Sequence, residues 1–212
     1  MTTYAEVQGS TLIKYPYTFA DLQAENPFTN YGADQDFVSL FPTTDTAVKN
    51  GYTLVPVTIA TQPTFDPATQ VCTPNTQPTL VNGVWTLGWT VTTLSSAAQA
   101  VLAAQSRQAA YATALASGIT ITSTSTPSLN GVYNVAPANQ DAISAVMTGV
   151  ANGLGLPGGQ ATFEYLDASN TPHAFTSDQF KTFATAVRDY VYALALYAAG
   201  QGTLPSPSIT IP

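Results

Sequence analysis

Charge is what this sequence has least of. Only 8% of its 212 residues are Asp, Glu, Lys or Arg, where ordinary soluble domains carry about 25%. The five cations, Lys14, Lys49, Arg107, Lys181 and Arg188, stand singly along the chain. No basic stripe exists to neutralise phosphates, which argues against nucleic-acid binding. The net charge of −7 fits solubility and repulsion between free copies better than any one partner. Cys72 is the only cysteine, which excludes an intrachain disulfide framework and a cysteine-based metal cluster. It is expected to act as a small apolar filler in a Thr/Pro/Asn-rich loop. His173 is the only histidine. A zinc site needs three or four ligands, so no metal site is expected. Long apolar runs are missing too. The longest, Val191 to Ala199, is roughly half the length that spans a bilayer, so membrane insertion is not expected. The first residues lack the basic and apolar regions of a secretory signal, so the product is expected to be made and kept in a cytoplasm until something else carries it out.

What remains is a neutral polar surface of Thr, Ser, Asn, Gln and Ala. Such a surface docks against other subunits with little desolvation of charge. The 45% hydrophobic content is enough for a buried core. The patterning predicts an α+β chain in four zones. Residues 1–92 read as a β-rich attachment region. Within it Val55 to Ala60 reads as a strand, with Pro56 suggesting an edge position. Leu80 to Val91 reads as a hairpin turned by Asn82-Gly83 in a type I′ turn. Trp85, Leu87 and Trp89 alternate onto one strand face, as core or as an aromatic platform for sugar rings.

Residues 93–117 form an Ala-rich connector helix, capped by Ser95 or Ser96 and stopped by Gly118. Leu94, Val101, Gln108 and Leu115 recur seven apart, with Ala97, Ala104 and Tyr111 at companion positions. That loose heptad reads either as a helix lying on a domain or as helix association around an axis. Residues 118–200 read as a compact hairpin-helix-hairpin-helix unit. Asn130-Gly131 is expected to be a second type I′ turn. A helix follows from Asn139 with Ile143, Val146, Met147 and Val150 on one face. Ala161 to Leu166 and His173 to Phe175 form a further hairpin. Thr176 and Gln179 make a capping box. A last helix buries Phe180, Phe183, Ala184, Val187, Val191, Leu194, Ala195 and Ala198. Residues 201–212 are an extended tail, a linker or a strand awaiting a partner.

Candidates for chemistry are few. Asp21 with Glu25, and Glu164 with Asp167, are the carboxylate pairs a glycosidase would need, yet both read better as caps or solvated positions. His173 is expected half-exposed in its hairpin, with no nucleophile assigned to it. The glycines between Gly149 and Gly159 lack both the Walker lysine and the dinucleotide-binding pattern. Asp34 and Asp36 lack the glycine and closing glutamate of a calcium loop. No catalytic residue, cofactor or metal is expected.

Tyr15-Pro16-Tyr17, Asp21-Leu22 and Asn26-Pro27 together resemble an N-terminal signature of small tailed-bacteriophage and prophage proteins. The likeness continues through Gln62 to Gln70 and Pro78 to Val91. The region 110–200 resembles a domain found at the ends of phage tail-fibre and tail-fibre-assembly proteins, in its small hairpin, the helix with Gln140-Asp141, the Phe163-to-Phe175 hairpin and the capped last helix. Gln23-Ala24 stands where that signature has a basic pair. The resemblance implies a virion tail component, made in the host cytoplasm and present in several copies. It would hold a fibre or adhesin at the baseplate, tail tip or fibre attachment. A tail-fibre assembly chaperone and a glycan-binding receptor module are the alternatives. The residues expected at an interface with a fibre or baseplate subunit are Trp85, Trp89, Leu94, Val101, Tyr111, Leu115, Ile209 and Ile211. With few apolar anchors of their own, both chain ends are expected to be held by neighbouring subunits, Ile209 and Ile211 as an added strand.

Overall fold

The structure, a computed structural model, describes residues 3–25, 27, 47–49 and 52–212. It combines strands and helices in an α+β chain, strand-rich at the start and helical towards the end. Two compact units divide it, Met1–Ser96 and Ala97–Pro212. The Ala-rich helix and the tail are therefore both parts of the second unit.

In the first unit β1 (Thr3–Gln8) pairs antiparallel with β2 (Thr11–Tyr17) and with β4 (Tyr52–Ile59), while β3 (Ala47–Lys49) lies against the start of β4. The hairpin of β6 (Thr79–Val81) and β7 (Val84–Leu87) joins through a parallel β4–β7 pairing, giving the order β2-β1-β4-β7-β6. Strand alternation sends Ala5, Val7, Val57 and Trp85 to one buried cluster. Tyr4 and Leu54 go to another with Tyr17 and with Leu22 of α1 (Phe19–Glu25). Residues 3–8 thus form a paired central strand, not an arm held by a neighbour. Pro56 is likewise no mark of an edge. It falls opposite Tyr4, between the stretch of β4 that pairs with β3 and the stretch that pairs with β7. A residue without an N–H is tolerated there because that side of β4 has a gap in its described pairing.

The Asn82-Gly83 turn forms as its chemistry requires. Both residues have positive φ, 49° and 80°, and Val81 faces Val84 across them. A side chain at Gly83 would meet no neighbour, so only the backbone conformation resists substitution. Gly83→Val is expected to cost on the order of 1–2 kcal/mol, read as a lower denaturation midpoint. Normal stability with loss of partner binding would instead make the turn a recognition element. Beyond the turn the expected single strand breaks at Gly88. Its carbonyl accepts the Asn75 N–H at 2.9 Å, and a Cβ there would stand 3.2 Å from the Asn75 side chain. After it β8 (Trp89–Thr93) pairs with β5 (Gln70–Pro74) in a separate ribbon. Cys72 therefore lies in a strand opposite Val91, half-buried, and not in a loop.

In the second unit α2 (Ser96–Ser117) ends at Gly118, whose φ of 77° and whose approach to the Tyr133 carbonyl leave no space for a side chain. β9 (Ile119–Ser123) is flanked by β10 (Gly131–Tyr133) and by β13 (Ser208–Ile211), the last running parallel to it. Between β10 and the β11 (Thr162–Leu166)–β12 (Pro172–Thr176) hairpin lies α3 (Pro137–Ala151), two residues longer at its start than the periodicity indicates. The capping box of Thr176 and Gln179 opens α4 (Ser177–Ala198). Phe180 and Phe183 then meet Phe175, Tyr133 and Tyr165 in one aromatic core, the Phe175–Phe180 rings edge-on at 5.7 Å.

Asn130-Gly131 does not form the expected type I′ turn. Pro127–Leu129 make a 3₁₀ turn, and Asn130 is extended, at φ −67° and ψ 130°, with its side-chain oxygen accepting the Ser123 N–H at 2.6 Å. The tail, too, is resolved otherwise than as a strand awaiting a partner. Ile209 and Ile211 both reach the unit's own core, with Ile211 only 4% exposed. Their alternating apolar side chains fill the open edge of β9, which removes the chain ends as a sign of multi-subunit assembly.

Candidate interaction surface

The residues that looked chemical are held in structural hydrogen bonds. Asp21 accepts from the Thr18 backbone N–H and hydroxyl through Oδ2, and from Lys14 through Oδ1. The Lys14 contact and the Thr18 bonds hold its carboxyl at about 2. Glu25 accepts the Tyr17 hydroxyl at 2.8 Å. Burial, reinforced by that bond, pushes the Tyr17 phenol up. Through Lys14 and Tyr17 the pair ties both ends of α1 to β2 and presents no free acid–base couple. Asp34 and Asp36 lie outside the described residues, as do Asn26 and residues 28–30.

Glu164 stands exposed on β11, whereas Asp167 is turned into the hairpin loop. Its Oδ1 accepts from the Thr171 N–H, the Ser169 N–H and the Ser169 hydroxyl, at 2.8, 2.8 and 2.7 Å. Its Oδ2 faces His173 Nε2 at 3.3 Å. The Thr171 and Ser169 bonds, followed by His173, hold this carboxyl at about 2 as well. His173 is therefore buried, at 8% exposure, and not half-exposed as its hairpin position suggested. Its Nδ1 donates to the Ser128 carbonyl at 2.6 Å, and its ring leans on Tyr133. A Cβ at residue 131 would stand 3.3 Å from both His173 Nε2 and Asp167 Oδ2, so Gly131 serves this close approach and not a turn.

Because both aspartates titrate lower in the folded chain than the ordinary 3.8, their stabilisation is complete above that ordinary value. It is lost as pH falls through about 2. Asp167→Asn should flatten the acid limb of the stability–pH curve between about pH 4 and pH 2. An acid unfolding profile parallel to that of the parent chain would show that the Asp167 bonds do not form.

The expected interface residues do not share one surface. Trp85 is core, and the Trp89 indole N–H donates to the Ala60 carbonyl at 2.8 Å. Gly88 separates them into different sheets, so the pair forms no stacking platform. Leu94 is half-buried and Val101 exposed, whereas Tyr111 and Leu115 pack against the second unit's own core. The Gln108 side chain reaches the Ala198 carbonyl at the end of α4. Over its second half, α2 thus lies on its domain through Tyr111 and Leu115, while its first half leaves the large apolar side chains Val101 and Leu102 in solvent.

The second unit also carries a concave surface that was not anticipated from the sequence. Between α3 and α4 lies a groove of about 520 Å³ lined by Ile143, Met147, Ala184, Val187, Val191 and Ala195, with Gln140, Ser144, Thr185, Arg188 and Tyr192 around them. One signal for it lay in the sequence. The apolar stripe of the last helix was wider than a single packed face needs, and its surplus is the groove wall. Val191 is only half-buried and Ala195 exposed, while Tyr190 takes the core position in their place.

No family model, no curated protein and no solved structure matches this chain. Among the described residues no group of three or more His, Cys, Asp or Glu is placed to hold a metal ion, and no helix is long and apolar enough to cross a membrane.

Proposed function

We propose that this chain is a non-catalytic structural or assembly component of a tailed-phage tail, at the baseplate, tail tip or fibre attachment, where it holds a fibre or adhesin. One observation carries the reading. From Pro67 to Gln140 the only charged side chain is Arg107, yet this stretch exposes Val71, Leu80, Val81 and Val84 on the first unit and, separately, Val101 and Leu102 on the second. A surface that is both neutral and partly apolar loses little charge hydration on docking and gains from the apolar area it covers. The commitment of His173, Asp167, Asp21 and Glu25 to hydrogen bonds with the chain's own backbone and side chains supports a role without catalysis. The burial of Trp85 weighs against a glycan platform at that residue.

Mass spectrometry of purified tail-bearing particles tests the reading. A fixed copy number per particle is expected. Absence from finished particles, with the protein bound to the fibre in infected-cell extracts, would overturn it in favour of a fibre-assembly chaperone.

A further inference from the structure

We infer that Asn82 is a site of covalent self-modification, where the Gly83 backbone nitrogen and water convert the side-chain amide to aspartate and isoaspartate. The inference is independent of the proposed function and concerns the exposed hairpin of β6 and β7. In an Asn-Gly pair the second residue has no Cβ to hinder its nitrogen from approaching the asparagine side chain. The deprotonated Gly83 nitrogen forms a bond to Asn82 Cγ, the Cγ–Nδ2 bond breaks, and ammonia leaves with the proton. Water then opens the resulting cyclic imide. Opening at Cγ gives aspartate. Opening at the main-chain carbonyl gives isoaspartate, in which the chain runs on through the former side chain. The only co-reactant is water.

Asn-Gly recurs in the sequence at 50–51, 82–83, 130–131 and 152–153. Asn50 and Gly51 lie outside the described residues. The other pairs are restrained to different degrees. Asn130 is held by its side chain, whose oxygen accepts the Ser123 N–H at 2.6 Å. Gly131 is paired with Ile121 in the β10–β9 ladder and stands against Asp167 and His173. At the end of α3 the attacking nitrogen is already engaged. The Gly153 N–H donates to the Val150 carbonyl at 3.1 Å, and the Leu154 N–H to the Gly149 carbonyl at 3.0 Å. Asn82 has neither restraint. Both residues of its pair are exposed, and among the described residues no hydrogen bond holds the Asn82 side chain or the Gly83 N–H. The space beside Gly83 is empty.

The turn itself is the remaining barrier. Positive φ at Asn82 and Gly83 must relax before the nitrogen reaches Cγ, so the rate follows opening of the hairpin. That opening is local. β6 has three residues, all exposed, at the edge of its sheet, and it pairs only with β7. Segments of this kind open at low free energy. Freeing Asn130 and Gly131 instead means parting β10 from β9 beside the fully buried Tyr133.

The products act on the same hairpin. Isoaspartate lengthens the main chain within a two-residue turn, and the loop that sets Val81 opposite Val84 no longer fits. Either product also places a carboxylate beside exposed Leu80, Val81 and Val84, in a stretch whose only charged side chain is Arg107.

The experiment is incubation of the full chain in warm, mildly alkaline buffer, with timed peptide mapping by mass spectrometry. Asn82 should be lost at least about tenfold faster than Asn130 or Asn152. An intact Asn82, or equal rates at the three positions, overturns the inference. Asn82→Gly removes the amide and keeps a residue suited to a type I′ turn. Both tryptophans lie in the first unit, so their fluorescence reads its thermal midpoint. That midpoint should fall in the aged parent chain and hold in aged Asn82→Gly. Equal midpoints in the two aged chains would overturn the effect on the hairpin.

Discussion

Replacing Phe183 by alanine is expected to destabilise the second unit by about 3–5 kcal/mol. The side chain is fully buried, and its ring lies 4.8 Å from that of Tyr133, 5.2 Å from Phe175, 5.6 Å from Tyr165 and 5.7 Å from Phe180. Four aromatic neighbours held by three strands and a helix cannot all collapse into the space left behind, so transfer and cavity terms both apply. The helices α2, α3 and α4 belong to the second unit and both tryptophans to the first. Helical circular dichroism therefore follows the affected unit, and tryptophan fluorescence serves as an internal control. A helical midpoint that does not move would mean that the stripe of Phe180, Phe183 and Val187 faces solvent in the isolated chain.

Ile211→Ala should cost about 2–5 kcal/mol, although the residue lies in a segment whose composition reads as a linker. Its side chain is in the core, its carbonyl accepts the Thr124 N–H at 2.9 Å, and the next carbonyl, of Pro212, accepts the Ser123 hydroxyl at 2.8 Å. Leu204→Ala is the matched comparison. Leu204 belongs to the same tail but is exposed, and its loss should stay within about 0.5 kcal/mol. Equal denaturation midpoints for the two variants would show that the tail adds nothing to the unit.

The features legible in the sequence were those decided within a few residues. The hairpin at Asn82-Gly83, the capping box of Thr176 and Gln179, and the stripe through Phe180, Phe183 and Val187 each formed as their local chemistry indicated. The same Asn-Gly dipeptide at 130–131 did not, because Pro127 begins a 3₁₀ turn and the Ser123 N–H captures the Asn130 side chain. His173 was misplaced for a longer-range reason, since Ser128, 45 positions away, supplies the acceptor that buries it. The heptad of the Ala-rich helix fixed a spacing without saying which partner its faces would meet. Tyr111 and Leu115 found their own domain, and Val101 found solvent. The groove was hidden for a related reason. A concavity belongs to the angle between two helices, and neither segment encodes that angle by itself.

The pairing of β13 with β9 also sets an order in time. Ser123 and Pro212 are 89 positions apart, whereas the β11–β12 hairpin and the turns of α4 close within a few residues. Contacts between distant residues must first meet the entropy of closing the intervening loop, so local elements form early and this strand joins last. Ile211→Ala should therefore speed unfolding while leaving the refolding rate almost unchanged, and Phe183→Ala should slow refolding as well. In native-state hydrogen exchange the amides linking β13 to β9 should be released at lower free energy than those of α4. The last strand to dock is then the first to leave.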